Sequence, residues 1–297
     1  MKEGRTSRTA ESAAAARALH YLYHSPTIFE DPFALEFTSP VWRRIIVTRP
    51  LRWFVFNVLL RSLLPVGAQI VARSRYAEDL LEQAIAAGVR QYVIVGAGFD
   101  SFALRRRDLE PTVRVFELDH PDTQRAKRRR LLTLGVDQPN NVEFVGIDFE
   151  HESVADGLTR SNYQPARPAF FSWLGSTPYL SNAATLGTLG SIARLAATGS
   201  EVIFDYNVPE EVLSREDARM VKKLKRFTAR RGEPMVGEFD PTELEGTLRS
   251  IGLEVIENLS GAEQEKRYFA NRHDGMRPTA FSSFAHARVS QSAPQHL

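Results

Sequence analysis

VIVGAGFD, residues 93–100, is the stretch whose reading decides the fold. A β-branched run beginning at Gln91 stops at Val95, two glycines flank Ala97, and an acid follows at Asp100. That order reads as a short buried strand, a tight turn and a helix opening near Asp100. Gly96 and Gly98 let a ligand approach the backbone, and a helix N-terminus there offers N–H donors and partial positive charge.

Outward from this turn, strands and helices alternate. Residues 113–119 read as a second strand stopped by His120-Pro121, followed by a basic helix over 123–134. Strands are expected at 141–147, 169–174, 200–206, 253–259 and 279–289, with helices near 182–197 and 241–251, the latter ended by Gly252. Alternation of this kind gives βαβ units, right-handed crossovers and a doubly wound, mostly parallel α/β sheet. Upstream the chain reads helical: 9–23, a proline-marked turn region at 25–32, one or two helices over 40–64, and a longer helix over 66–87 closed by Gly88. The expected organisation is a helical cover over 1–88, a cofactor-binding domain over 89–289 and a flexible tail over 290–297.

Composition narrows the function. The 297 residues are 43% hydrophobic and 25% charged, which excludes a largely disordered chain and a polytopic membrane protein. Lys+Arg 38 against Asp+Glu 36 leaves a net charge of +2, too balanced for nucleic acid as principal partner. The absence of cysteine removes disulfides, thiolate metal sites and cysteine nucleophiles, and fits a cytoplasmic setting. No signal peptide is read at the N-terminus. The greasiest run, 53–64, is interrupted by Arg61 and too short to span a bilayer. It reads as a lid helix, with an interfacial helix as the alternative because Arg43, Arg44, Arg49, Arg52 and Arg61 surround it. No stable membrane insertion is expected.

Asp119 closes the second strand about twenty residues after the glycine turn, where a carboxylate can accept both hydroxyls of a ribose. A dinucleotide fingerprint wants a third glycine where Ser101 stands, and Asp100 is awkward beside a pyrophosphate but harmless beside an ammonium. The pattern therefore favours S-adenosyl-L-methionine over NAD. Asp148 can accept from an adenine amine while Phe149 packs on the ring; as a plain helix cap Asp148 needs no ligand. His20 and His24 have metal-ligand spacing without an obvious third ligand, so no metal is expected. The basic runs at 105–107 and 127–130 read as solvated helix faces.

Together RSRYAEDLL (73–81), VGAGFDS (95–101), VFELDHP (115–121), FSWLGSTPYL (171–180), FDY (204–206) and GEP (232–234) resemble the leucine carboxyl methyltransferase family, and more closely its bacterial branch of S-adenosylmethionine-dependent O-methyltransferases. The similarity runs over about 10–287. It implies a class I methyltransferase (Rossmann-like) fold with a seventh, antiparallel edge strand and an N-terminal helical cover. It also implies Gly96 beside the methionyl portion, Asp119 at the ribose and Asp148-Phe149 at the adenine, with Ala97, Gly98 and Asp100 in the same cofactor-binding turn. The family's arginine for the cofactor carboxylate is matched best by Arg75, with Arg73 second. Where many relatives carry a glutamate after strand four, this chain reads Leu174-Gly175, so that contact is not carried over.

Methyl transfer from a sulfonium is an in-line displacement in which the protein mainly orients and excludes water. A carboxylate acceptor needs no base, whereas a phenol or enol does. Candidates at the strand ends are Tyr179, Asp205 and Tyr206, each equally readable as structural. Trp53, Phe54 and Phe56, with Tyr21 and Tyr23, are candidates for an apolar acceptor pocket and are also readable as lid packing. The expected activity is methyl transfer to a carboxylate or hydroxyl of a small acceptor; a protein C-terminal carboxylate is the alternative. A nicotinamide oxidoreductase and a non-catalytic relative are more distant readings. Acceptor identity and oligomeric state are not encoded in these motifs.

Overall fold

The structure, a computed structural model, describes residues 8–230 and 232–290; most of the expected tail therefore lies outside the described residues. Four helices open the chain: α1 (Arg8–Tyr23), α2 (Pro40–Val47), α3 (Arg49–Phe54) and α4 (Leu64–Ala86). A π-helical turn at Val55–Leu59 and a 3-10 turn at Arg61–Leu63 join the last two. Ser39 caps α2 by accepting from the Trp42 amide, and Gly88, at φ +104°, turns the chain out of α4.

The alternating part follows as β1 (Gln91–Val95), α5 (Phe102–Arg105), β2 (Arg114–Asp119), α6 (Pro121–Leu134), β3 (Val142–Gly146), α7 (Val154–Thr159), β4 (Phe170–Trp173), α8 (Asn182–Leu195), β5 (Glu201–Asn207), α9 (Arg215–Ala229), α10 (Leu244–Ser250), β6 (Leu253–Leu259), α11 (Gly261–Gln264) and β7 (Ser282–Val289). The seven strands form one sheet in the order β3-β2-β1-β4-β5-β7-β6. The first five in sequence pair in parallel; β7 runs antiparallel to both β5 and β6.

Two expectations need correction. The antiparallel strand is not at the edge: β7 inserts between β5 and β6, and β6 closes that side. Its burial explains the placement, since all but one of its residues are buried, as a strand with neighbours on both sides requires. The helix expected to open near Asp100 is a single turn, α5, because Asp100 Oδ1 accepts from the Phe102 amide at 2.7 Å and holds the chain in a turn first.

Every residue of β1 is buried, and its side chains alternate between two cores. Val93 and Val95 join Phe116, Leu118, Phe171 and Trp173 beneath α7, α8 and α10. Tyr92 and Ile94 join Phe170, Ile203 and Phe284 beneath α4, whose Tyr76 stacks on Phe284 at 5.3 Å. The last helix before the sheet is thus part of its covering layer, and α1 packs across α4 above the strands' C-terminal ends.

Candidate functional site

After Val95 the backbone folds over the end of β2: the amides of Gly96 and Ala97 both donate to Leu118 O, at 2.8 and 3.0 Å. Gly96 and Gly98 have φ of +69° and +52°, which residues with a Cβ avoid. A Cβ on Gly96 would lie 2.9 Å from Ser176 Oγ, and one on Gly98 3.1 Å from Ala10 Cβ of α1. The loop is therefore hemmed between the segment after β4 and the first helix.

Asp119, ending β2, holds this loop. Its Oδ2 accepts from the Gly98 amide at 2.5 Å and its Oδ1 from the His120 amide at 2.6 Å. Burial pushes its carboxyl up from the ordinary range, opposed by these two donors. Its carbonyl accepts from Ile147, which carries the end of β3 alongside. There Asp148 Oδ1 accepts from the Glu150 amide at 3.0 Å, and Phe149 is 40% exposed on the rim.

A second group forms where β4 and β5 end. Arg73, on α4, meets the buried Asp205 at 2.9 Å, and Asp205 also accepts from the Gly175 amide at 2.6 Å. Gly175, at φ +77°, presents its bare Cα to the guanidinium; a Cβ would fall 2.8 Å from Arg73 Cζ. Thr177 Oγ1 donates to the Asp205 carbonyl. Tyr179 follows in the same 3-10 turn; burial pushes its phenol up, with Arg73 and Asp205 among the charges acting on it. Thr9, at the start of α1, bonds Glu233 and Tyr179, joining the first helix to this group. Arg75 instead forms an i,i+4 pair with Asp79 on the half-exposed outer side of α4, 2.5 Å apart.

Behind the glycine loop lies a clasp that the motifs did not reveal. Arg17 of α1 donates to Phe99 O at 2.7 Å and to Asp31 at 2.8 Å. Arg105 binds Glu78 of α4 at 2.9 Å and Ser101 Oγ at 2.9 Å. Both arginines and Asp31 are largely buried, so the clasp ties α1, α4 and the loop together in a poorly hydrated place. The available signal was the pairing of isolated charges with apolar neighbours, which has no fixed spacing.

The remaining candidates lie elsewhere. Tyr206 is 1% exposed, and its phenol donates to Asn258 Oδ1 of β6 at 2.8 Å. Trp53 lines a groove of about 660 Å³ with Tyr23, Phe56, Arg49, Arg52 and His24; Tyr21 and Phe54 do not line it. No residue of the glycine loop or of the Arg73 group lines it either. His20 and His24 stack at 5.5 Å, and His20 Nε2 accepts from the Ile28 amide at 2.8 Å, so that nitrogen is occupied within the protein. Among the described residues no cluster of three or more His, Asp or Glu could hold a metal ion.

The rim fits a nucleoside with a short zwitterionic tail. It has a glycine turn at the strand ends, a carboxylate held beside it by two backbone donors, and a guanidinium facing a bare glycine. The profile described as Leucine carboxyl methyltransferase matches residues 10–193. Over 304 residues the chain is 29% identical to a Bacillus subtilis protein named "Putative S-adenosyl-L-methionine-dependent methyltransferase YktD", covering 97% of this chain and 99% of that one. A DUF574 family protein from Streptomyces avermitilis has a TM-score of 0.62 at 16% identity, covering 96% of this chain and 100% of that one. A structure described as a "putative methyltransferase" from Thermobifida fusca has a TM-score of 0.61 at 14% identity, covering 94% of each chain. At these identities the two structures speak for the fold, a class I methyltransferase sheet.

Proposed function

The chain belongs to the leucine carboxyl methyltransferase family and is an S-adenosyl-L-methionine-dependent methyltransferase; from that premise we propose that it methylates an oxygen of a small acceptor, with a carboxylate preferred over a phenol or enol. The observation that carries the preference is the state of the bases at the rim. Asp205 is pinned by Arg73 and the Gly175 amide, and burial holds the Tyr179 phenol protonated. With one Asp205 oxygen on Arg73, the other on the Gly175 amide and the Tyr179 phenol protonated, an acceptor that arrives already ionised suits this site best.

In this reading S-adenosyl-L-methionine supplies a methyl group on a positively charged sulfur. Gly96, Ala97 and Gly98 give its methionyl portion backbone to lie against, and Asp119 takes the ribose hydroxyls. Asp148 and Phe149 flank the adenine. Arg73 takes the cofactor carboxylate in preference to Arg75, because it lies at the strand ends beside Gly175 and Asp205 whereas Arg75 sits on the half-exposed outer side of α4. Asp100 serves the loop through its bond to the Phe102 amide. Asp205 orients Arg73, Tyr179 offers a hydrogen-bond donor, and Tyr206 packs. The groove lined by Trp53, Tyr23 and Phe56 is the proposed approach for an apolar acceptor, and Tyr21 and Phe54 are left out of it.

The family's descriptive name supports a second reading, a protein C-terminal carboxylate. The Leu174-Gly175 sequence, in place of the glutamate that the family resemblance implies, weighs against carrying that substrate over. Incubation with methyl-labelled cofactor, a panel of small aromatic and aliphatic acids and phenols, and peptides ending in leucine decides between them. Base-labile label on small acids is expected. Label confined to peptides, or base-stable ethers formed faster than esters, would overturn the proposal.

A further inference from the structure

Between Glu36 and Glu78 the chain holds no acidic residue, yet it carries Arg43, Arg44, Arg49, Arg52 and Arg61, with Arg73 and Arg75 beyond. Arg43 pairs with Glu36, and Arg52 rests over the Tyr23 ring at 3.6 Å. Arg44, Arg49 and Arg61 are exposed and meet no acid among the described residues. Among these cations Val47, Leu51, Trp53, Phe54, Val58 and Leu59 are exposed, Trp53 by 62% and Leu59 by 60%. The Trp42–Phe56 stack at 6.3 Å holds α2 against the π-helical turn, so the exposed groups stand on one joined unit. Alongside it, Lys223 of α9 donates to Ser62 Oγ at 3.1 Å and adds another cation.

Exposed apolar side chains interleaved with cations that meet no acid among the described residues suit a partner with an apolar layer and an anionic surface. A second copy is a poor occupant, because two-fold pairing sets arginine against arginine with no acid in the segment to separate them. Crossing a bilayer is also a poor fit. No single helix among the described residues is long and apolar enough, and the bent pair Arg49–Leu59 and Arg61–Ala86 turns by 73°. Ala68, Val71, Ala72 and Tyr76 of the second arm are buried within the protein. We propose that α2, α3 and the π-helical turn form a peripheral docking face for an anionic bilayer. Trp53, Phe54 and Leu59 enter the headgroup layer, and Arg44, Arg49 and Arg61 meet lipid phosphates. The face shares Trp53 and Arg49 with the groove proposed for the acceptor, but docking is read by vesicle partitioning and not by methyl transfer.

Flotation of the full chain with vesicles of phosphatidylcholine alone, or mixed with phosphatidylglycerol, tests it. Binding is expected only to the mixed vesicles, with a blue shift of tryptophan emission and release at high salt. Arg44→Gln with Arg61→Gln should lower partitioning on the order of twentyfold. Val58→Ser with Leu59→Ser should lower it about tenfold. Both double variants should keep the wild-type melting temperature and cofactor affinity; if the serine pair misfolds, the charge pair decides alone. Equal binding to neutral vesicles, no binding to either, or variants that bind as wild type would overturn the proposal. So would a dimer in solution that the serine pair dissolves.

Discussion

The Asp119 carboxylate and the Gly98 amide, 21 residues apart in sequence, meet at 2.5 Å across the ends of β2 and β1. The acid proposed to hold the sugar is therefore also the clamp that shapes the glycine loop. One backbone donor occupies each carboxylate oxygen, and the Thr123 hydroxyl acts on the same carboxylate. Cofactor contact and loop shape are consequently coupled through one side chain.

Replacing Asp119 by alanine should weaken S-adenosylmethionine binding by about 10- to 100-fold, the range of charge-assisted hydrogen bonds lost from a buried site. Asparagine is not a harmless substitute, because its amide NH2 would face the Gly98 or the His120 N–H, donor against donor. Titration calorimetry on wild type, Asp119→Ala and Asp119→Asn measures both effects. Wild-type affinity in the alanine variant would remove Asp119 from the sugar.

Gly96→Ala tests the cradle. Alanine at φ +69° costs about 1–2 kcal/mol in backbone strain, and its Cβ would crowd Ser176 Oγ at 2.9 Å. The expected result is a lower melting temperature together with loss of most cofactor affinity. Adding Ser176→Gly should recover part of the stability by removing the crowding, while the strain stays. If Gly96→Ala binds the cofactor as wild type does, nothing lies against that backbone.

The two arginines of α4 should separate cleanly. Arg73→Ala is expected to raise the KM for S-adenosylmethionine about 10- to 100-fold and to lower stability by about 3 kcal/mol, because it leaves the buried Asp205 without its cation. Arg75→Ala removes only a partly exposed pair with Asp79 and should change KM little and stability by less than about 1 kcal/mol. Steady-state kinetics and thermal melts on both variants read the difference; a KM effect in Arg75→Ala with none in Arg73→Ala would reverse the assignment.

These particulars mark what the sequence could carry. VIVGAGFD and the placement of Asp119 were legible because strand periodicity, glycine turns and strand-end acids are local, and β6 appears at its expected bounds. The insertion of β7 between β5 and β6 was not legible, since strand order depends on contacts far apart in sequence. Helix α9 was passed over although its stripe of Met220, Val221, Leu224, Phe227 and Thr228 stands at helical spacing among the charges, because those charges dominate the composition of the segment. Arg73 and Arg75 differ by about 200° around a helix, and their order of preference needed the helix's phase against the sheet. The clasp of Arg17, Asp31, Glu78 and Arg105 draws on four separated segments and has no motif at all.

His20 should make the fold sensitive to mild acid. The ring is 1% exposed, and its pKa is lowered to about 4, by burial first, then by His24 and Arg272, with Asp274 pulling the other way. His24, stacked on it, is lowered as well, again chiefly by burial. Unfolding returns His20 to about 6.5, so between pH 6.5 and 4 the unfolded chain binds the extra proton. Stability is then intact above pH 6.5, falls as the pH drops through that window, and loses up to about 3 kcal/mol from this group by pH 4. Carboxylates titrate in the same range, so the useful quantity is a difference between proteins. His20→Gln keeps an acceptor for the Ile28 amide but carries no titrating ring. Its melting temperature should be lower than wild type at pH 7.5, where the ring packing is lost, and the gap should narrow or invert by pH 5. Parallel melting curves across that range would mean that the buried imidazole is not what resists protonation.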